Sequence, residues 1–116
     1  MKKFLAVYTG NPGAMARWQG KDDASQAQEM QRGLEAWHKW VADHQASIVE
    51  LGAPVGKTKR VSPTGIADAT NNIAAYTVVQ AQSYQAAAEL FVDHPHFSIF
   101  PGDGVEIMEC MPVPGM

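Results

Sequence analysis

Cysteine is nearly absent from this sequence. Cys110 stands alone among 116 residues, so no disulfide can form within the chain and nothing points to an oxidising compartment; the expected location is the cytoplasm. Basic residues are also scarce. Nine Lys and Arg against twelve Asp and Glu leave a net charge of -3, which offers no positive field to collect phosphates and argues against a nucleic-acid partner. Long apolar runs are missing: no stretch approaches the roughly 20 residues that cross a bilayer, so no membrane partner is expected. The opening Met1-Lys2-Lys3-Phe4-Leu5-Ala6-Val7 imitates an export signal until Tyr8-Thr9-Gly10-Asn11-Pro12 interrupts it, well short of the apolar core of about 7–15 residues such a signal needs. There is no Gly-rich phosphate loop leading into a lysine-bearing helix and no dinucleotide fingerprint, so no cofactor is implied.

What is present is 46% hydrophobic residues with 18% charged, a balance that reads as one folded domain over residues 1–116. Lys3 to Thr9 reads as a strand with Phe4, Ala6 and Tyr8 on one face and Leu5 and Val7 on the other, apolar on both. Gly10-Asn11-Pro12-Gly13 reads as a turn, and the polar stretch through Gly20-Lys21-Asp22-Asp23 as a surface loop. The capping-box pattern Ser25-x-x-Gln28 predicts a helix start, followed by an apolar stripe of Met30, Leu34, Trp37, Val41 and His44 with Trp40 at its flank. Leu51-Gly52-Ala53-Pro54 ends that segment, and Val55 to Val61 is expected as the second strand. Ser62-Pro63-Thr64-Gly65 is a turn signal, and Ile73 to Ala81 is the third strand. Ser83 caps a second helix with Tyr84, Ala87, Ala88 and Phe91 on one face, which Asp93-His94-Pro95 terminates. Val105 to Met111 is the last strand.

The predicted order is β-α-β-β-α-β, a ferredoxin-like α+β sandwich with a four-stranded antiparallel sheet and both helices on one face. Tyr76, Val78, Met108 and Cys110, or their alternates along the same strands, then lie on the face the helices leave open. Such a face exceeds what a monomer normally exposes, and a second copy packed sheet to sheet is the expected cover, making the protein a homodimer.

The segment Ala86-Ala87-Ala88-Glu89-Leu90-Phe91-Val92-Asp93-His94-Pro95-His96-Phe97, with Gly104-Val105-Glu106-Ile107, Phe4-Leu5-Ala6-Val7-Tyr8 and Asn72-Ile73-Ala74-Ala75-Tyr76-Thr77-Val78-Val79, resembles the YCII-related proteins of the dimeric α/β-barrel superfamily. The likeness covers most of the chain. It implies a dimeric α/β barrel and a His and Asp pair in a cleft, the Asp directly before the proline that follows the second helix. Here His94 holds that position and Asp93 precedes it. The His that the family carries just after the first strand is missing from Gly10-Asn11-Pro12-Gly13, and Gly65-Ile66-Ala67-Asp68-Ala69-Thr70 stands where one branch carries Asp-Gly-Pro-Phe.

His94 and His96 with Asp93 and Asp103 are the densest group of ionisable side chains near an element end, the combination general acid–base work requires. The competing reading makes His94 a helix C-terminal residue that interacts with the macrodipole. A metal on His94 and His96 lacks a second spaced pair of ligands, so no metal site is assigned. His44 reads as a core-edge residue bonded to backbone, and His38 likewise. Lys57, Lys59 and Arg60 either attract an anion or keep a strand edge from pairing. Tyr8 and Tyr76 are candidates for hydroxyls on the open face, and Trp18 for a ligand contact from its loop. Two functions follow: a lyase- or isomerase-type enzyme with a His/Asp proton carrier in a sheet-edge cleft, or a noncatalytic protein that holds a small ligand in an apolar dimer cavity.

Overall fold

The structure, a computed structural model, describes residues 1–115. Its elements in chain order are β1 (Lys2–Gly10), α1 (Pro12–Gln19), α2 (Asp23–Asp43), β2 (Ile48–Pro54), β3 (Thr58–Ser62), β4 (Gly65–Ala69), β5 (Ile73–Ala81), α3 (Tyr84–Glu89), α4 (Pro95–Ser98) and β6 (Gly102–Glu109). Because β1 is apolar on both faces it belongs in the middle of a sheet, and it pairs antiparallel with β5 on one side and β6 on the other. β2 completes the sheet on the far side of β5, in the order β2-β5-β1-β6. Phe4, Ala6 and Tyr8 of β1 and Val79 and Ala81 of β5 point to one face, where Trp40, Ala87 and Phe91 close the core over them. Leu5, Val7, Tyr76, Val78 and Met108 share the opposite face, which no helix covers.

Several expectations are corrected. Residues 12–19 are a helix, not a loop: the Asn11 side chain accepts from the backbone N–H of Ala14, and Pro12 sits in the first turn, where its missing N–H costs nothing. The long helix starts two residues before Ser25, because Asp22 caps it by accepting from the Ser25 N–H at 2.7 Å. The second strand of the main sheet is Ile48–Pro54, not 55–61. β3 pairs instead with β4 across the 62–65 turn, as a separate two-stranded hairpin; a turn that tight returns the chain onto its own preceding strand.

The helix face is also rotated from the expected stripe. Trp40, expected at the flank, is the core tryptophan at 7% exposure, and its Nε1–H donates to the Leu90 carbonyl at 2.7 Å. Trp37 is half-buried, while Met30 and Leu34 are exposed. His44 caps α2, its Nδ1–H donating back to Trp40 O at 2.8 Å, as a core-edge histidine bonded to backbone. Among the described residues no helix is long and apolar enough to cross a membrane.

Trp40→Ala should therefore cost about 3–5 kcal/mol of stability in chemical denaturation, and Trp37→Ala clearly less. Equal losses would contradict the packing face of α2 described above.

Candidate active site

Three segments converge beneath the helices at Tyr8. Its ring packs against Trp37 at 5.2 Å between centroids, and against His94 and His96, each also at 5.2 Å. Its hydroxyl lies 3.0 Å from Thr77 Oγ1, and the Thr77 hydroxyl donates to the Leu51 carbonyl at 2.9 Å. Threonine has one O–H to give. Tyr8 must then be the donor to Thr77, which leaves the phenolic oxygen free to accept. Burial pushes the Tyr8 pKa up to about 12, so the group stays a neutral phenol through the physiological range. This corrects the placement of Tyr8 on the open face: it is 1% exposed on the covered face. Tyr76 is on the open face, and its hydroxyl donates to Glu50 Oε1 at 3.2 Å.

Tyr8, Thr77 and Trp37 line a cavity of about 370 Å³ between α2 and the β5–β2 side of the sheet, closed further by Leu34, Phe100, residues 51–54 and His38, which is exposed on this wall and not at the core edge as expected. The wall at 51–54 exists because β2 bulges between Glu50 and Ala53. Gly52 makes the bulge possible: it has a φ of 75°, and a Cβ there would overlap the Tyr76 carbonyl. The size suits a small organic ligand, and the lining is mostly apolar with few polar groups, as binding pockets generally are. A larger hollow of about 550 Å³ lies at the foot of the β3–β4 hairpin, with part of its polar wall engaged internally, Lys59 with Asp68 and Asn71 with Thr58.

His94 and His96 lie together behind Tyr8 and Trp37. His94 does not end the preceding helix as expected. It caps α4, its Nδ1 accepting from the His96 backbone N–H at 3.0 Å. That bond fixes the neutral ring with its proton on Nε2, and Nε2 is buried without a conventional partner. Trp37 and Trp40 surround the ring, at 4.5 and 4.6 Å between centroids and steep angles, so aromatic faces are the acceptors within its reach. Burial, reinforced by His96 and His44 nearby, pushes the His94 pKa down to about 3. His96 donates from Nε2 to the Thr9 carbonyl at 2.7 Å, which leaves Nδ1 as its basic nitrogen. Burial lowers its pKa too, opposed by the Thr9 carbonyl and by the charge of Asp103. β6 can start this close to the ring because Gly102 has no side chain: a Cβ there would overlap His96.

The four residues singled out by sequence thus divide. His94 and His96 are buried together, and Asp103 is near enough to favour the His96 cation; Asp93 and Asp103 are themselves exposed. Asp93 adopts a left-handed φ of 57°, and its backbone carbonyl accepts from Ser98. Neither His94 nor His96 is part of the cavity wall. Trp18 lies on α1, outside the cavity wall, in a separate hollow with Arg17, Lys21 and Glu29. Among the described residues no three His, Cys, Asp or Glu side chains are grouped to hold a metal. Sequence reasoning missed Thr77, Gly52 and Phe100. The available signal was a hydroxyl at an inward position of an otherwise apolar strand.

The fold is a ferredoxin-like α+β sandwich with a four-stranded antiparallel sheet and an added two-stranded hairpin. The chain is similar in structure to 5-chloro-2-hydroxyhydroquinone dehydrochlorinase (TftG) from Burkholderia phenoliruptrix AC1100, solved in complex with 2,5-dihydroxybenzoquinone, with a TM-score of 0.57 and 13% identity over 94% of this chain and 93% of that one. No protein-family model matches the sequence, and no curated protein matches it.

Because His94 is neutral in the fold and takes a proton near pH 6.5 once unfolded, its contribution to stability is complete above that pH. It erodes as the pH falls from about 6.5 toward about 3, and His96 acts in the same direction. His94→Asn keeps a capping acceptor and removes the titrating ring. Denaturation across this range should show a shallower acid loss in the variant, by about one proton; parallel curves would contradict the buried neutral ring.

Proposed function

We propose that this chain is a YCII-related, cytoplasmic small-molecule protein that works as a homodimer and holds a ring-sized, largely apolar ligand in the cavity beneath α2. One observation carries the reading. The hydrogen-bond chain from Tyr8 through Thr77 to Leu51 presents a neutral, oriented oxygen acceptor to a largely apolar cavity whose wall also carries His38, an arrangement that selects a flat ring bearing a hydroxyl or N–H donor. The quinone bound by the dehydrochlorinase is likewise a flat six-membered ring. Trp37 supplies a face for stacking.

The apolar open face, with Leu5, Val7, Val78 and Met108, supports the dimer, since packing two such faces together removes both from water.

Catalysis is the second reading, favoured by the fact that Tyr8 and Trp37 belong both to the cavity wall and to the packing around His94 and His96. In it a lyase- or isomerase-type proton transfer runs through His96 Nδ1 or His94, with Asp103 or Asp93 stabilising the cation. Both rings are neutral at physiological pH, but a pKa of about 3 makes His94 a weak base, so His96 is the better proton acceptor of the two. His94 must release the His96 N–H before its Nδ1 can take a proton.

Light scattering at micromolar concentration should give about twice the 12.6 kDa chain mass, and Val78→Asp should give a monomer; a wild-type monomer contradicts the dimer. Calorimetric titration with neutral hydroxylated six-membered rings, such as hydroquinone and resorcinol, should detect binding. Thr77→Val should weaken it roughly 3–10-fold, the worth of one hydrogen bond, and Leu34→Trp should abolish it by filling the cavity. Binding indifferent to both variants contradicts the site. Loss of turnover in His94→Asn and His96→Asn, with ligand binding retained, distinguishes the catalytic reading from the purely binding one.

A further inference from the structure

The β3–β4 hairpin stands apart from everything else in the fold. Its five paired positions run from Thr58↔Ala69 to Ser62↔Gly65, it forms its own two-stranded sheet, and β3 and β4 pack chiefly on each other. The chain has a radius of gyration of 16.2 Å and extents of 54 × 42 × 18 Å, whereas a compact domain of this length would have a radius near ~13 Å. A nine-residue strand spans only about 30 Å, so the long dimension requires a projecting element. An isolated two-stranded hairpin is marginally stable at best in water. This one also ends in an apolar cross-strand pair, Val61 opposite Ile66, at 77% and 74% exposure.

Charge separates the hairpin from the body as well. Residues 57–71 carry Lys57, Lys59 and Arg60 against Asp68, a net of +2, so the rest of a chain of net charge -3 carries -5. Lys59 is paired with Asp68, while Lys57 and Arg60 make no ion pair among the described residues. Acidic groups lie at the open sheet face: Glu106 is register-paired with Val7 there, and Glu50 accepts from Tyr76.

We infer that the hairpin is an arm that clasps a second copy of this chain. Val61 and Ile66 seat on the margin of that copy's apolar sheet face, and Lys57 and Arg60 meet the acidic groups around its Glu50 and Glu106. The inference rests on the dimer reading above and adds to it. One occupant satisfies three separate demands: an uncovered apolar sheet face, an uncovered apolar hairpin tip, and opposite net charges on the two.

Sedimentation equilibrium across a dilution series tests it, with wild type, the double variant Val61→Ser/Ile66→Ser and the double variant Lys57→Glu/Arg60→Glu. The tip variant should raise the dimer dissociation constant by about tenfold or more, and the charge variant should weaken the dimer and flatten its salt dependence. Hydrogen exchange on the wild-type protein guards against a variant that merely unravels the hairpin: amides of residues 58–69 should be protected at dimer concentrations and lose that protection on dilution. An unchanged dissociation constant in the tip variant, or protection independent of concentration, overturns the arm and leaves the dimer standing. A monomeric wild type overturns both.

Discussion

The fold and its candidate site both depend on the burial of Tyr8 at the centre of the sheet. The residue is on the middle strand, so its ring meets α2 through Trp37, the turn after α3 through Phe91, and the α4 segment through His94 and His96. The hydroxyl faces only the cavity, away from bulk solvent, and a buried hydroxyl without a protein partner is costly. Thr77 meets that requirement and passes it on to Leu51, which ties β1 to β5 and β5 to the bulged stretch of β2. The same chain that satisfies the phenol therefore holds the wall of the cavity.

Behind Tyr8, the histidines do structural work that also defines their chemistry. His94 replaces the usual Ser, Thr, Asp or Asn cap of a helix start, and burial keeps it uncharged. His96 anchors the α4 segment to the end of β1 through Thr9. Two imidazoles held neutral next to an aromatic wall are compatible with proton transfer, but only His96 has its basic nitrogen unengaged by the backbone. The exposed carboxylate of Asp103 acts on His96 at a distance rather than through a hydrogen bond, which separates this arrangement from an intimate His/Asp pair.

Much of this architecture could be read along the chain, and what could not has identifiable causes. β1 and β5 were legible because a two-residue period with bulky apolar residues on both faces has few other meanings. α1 was not, since Asn11-Pro12-Gly13 serves equally well as a turn or as a cap with proline in the first helical turn. β2 was hidden because Gly52 and Pro54 resemble a helix stop, whereas Gly52 is the bulge residue. The rotation of α2, which exchanged Trp37 for Trp40 in the core, depends on what packs against it from distant segments. The His94 and His96 cluster was visible as a density of ionisable groups, but not its burial, because imidazole is at home in either environment. The cavity depended on a nonlocal contact and left only Thr77 as a trace.

The most direct test of the Tyr8-centred account is the nitrogen NMR spectrum of the imidazole rings. The account predicts that at neutral pH His94 is a single neutral tautomer, protonated on Nε2 with Nδ1 bare, and that it stays so as the pH is lowered through 6.5 while the protein remains folded. A His94 ring that becomes an imidazolium near pH 6.5 in the folded protein, or that carries its proton on Nδ1, would contradict it.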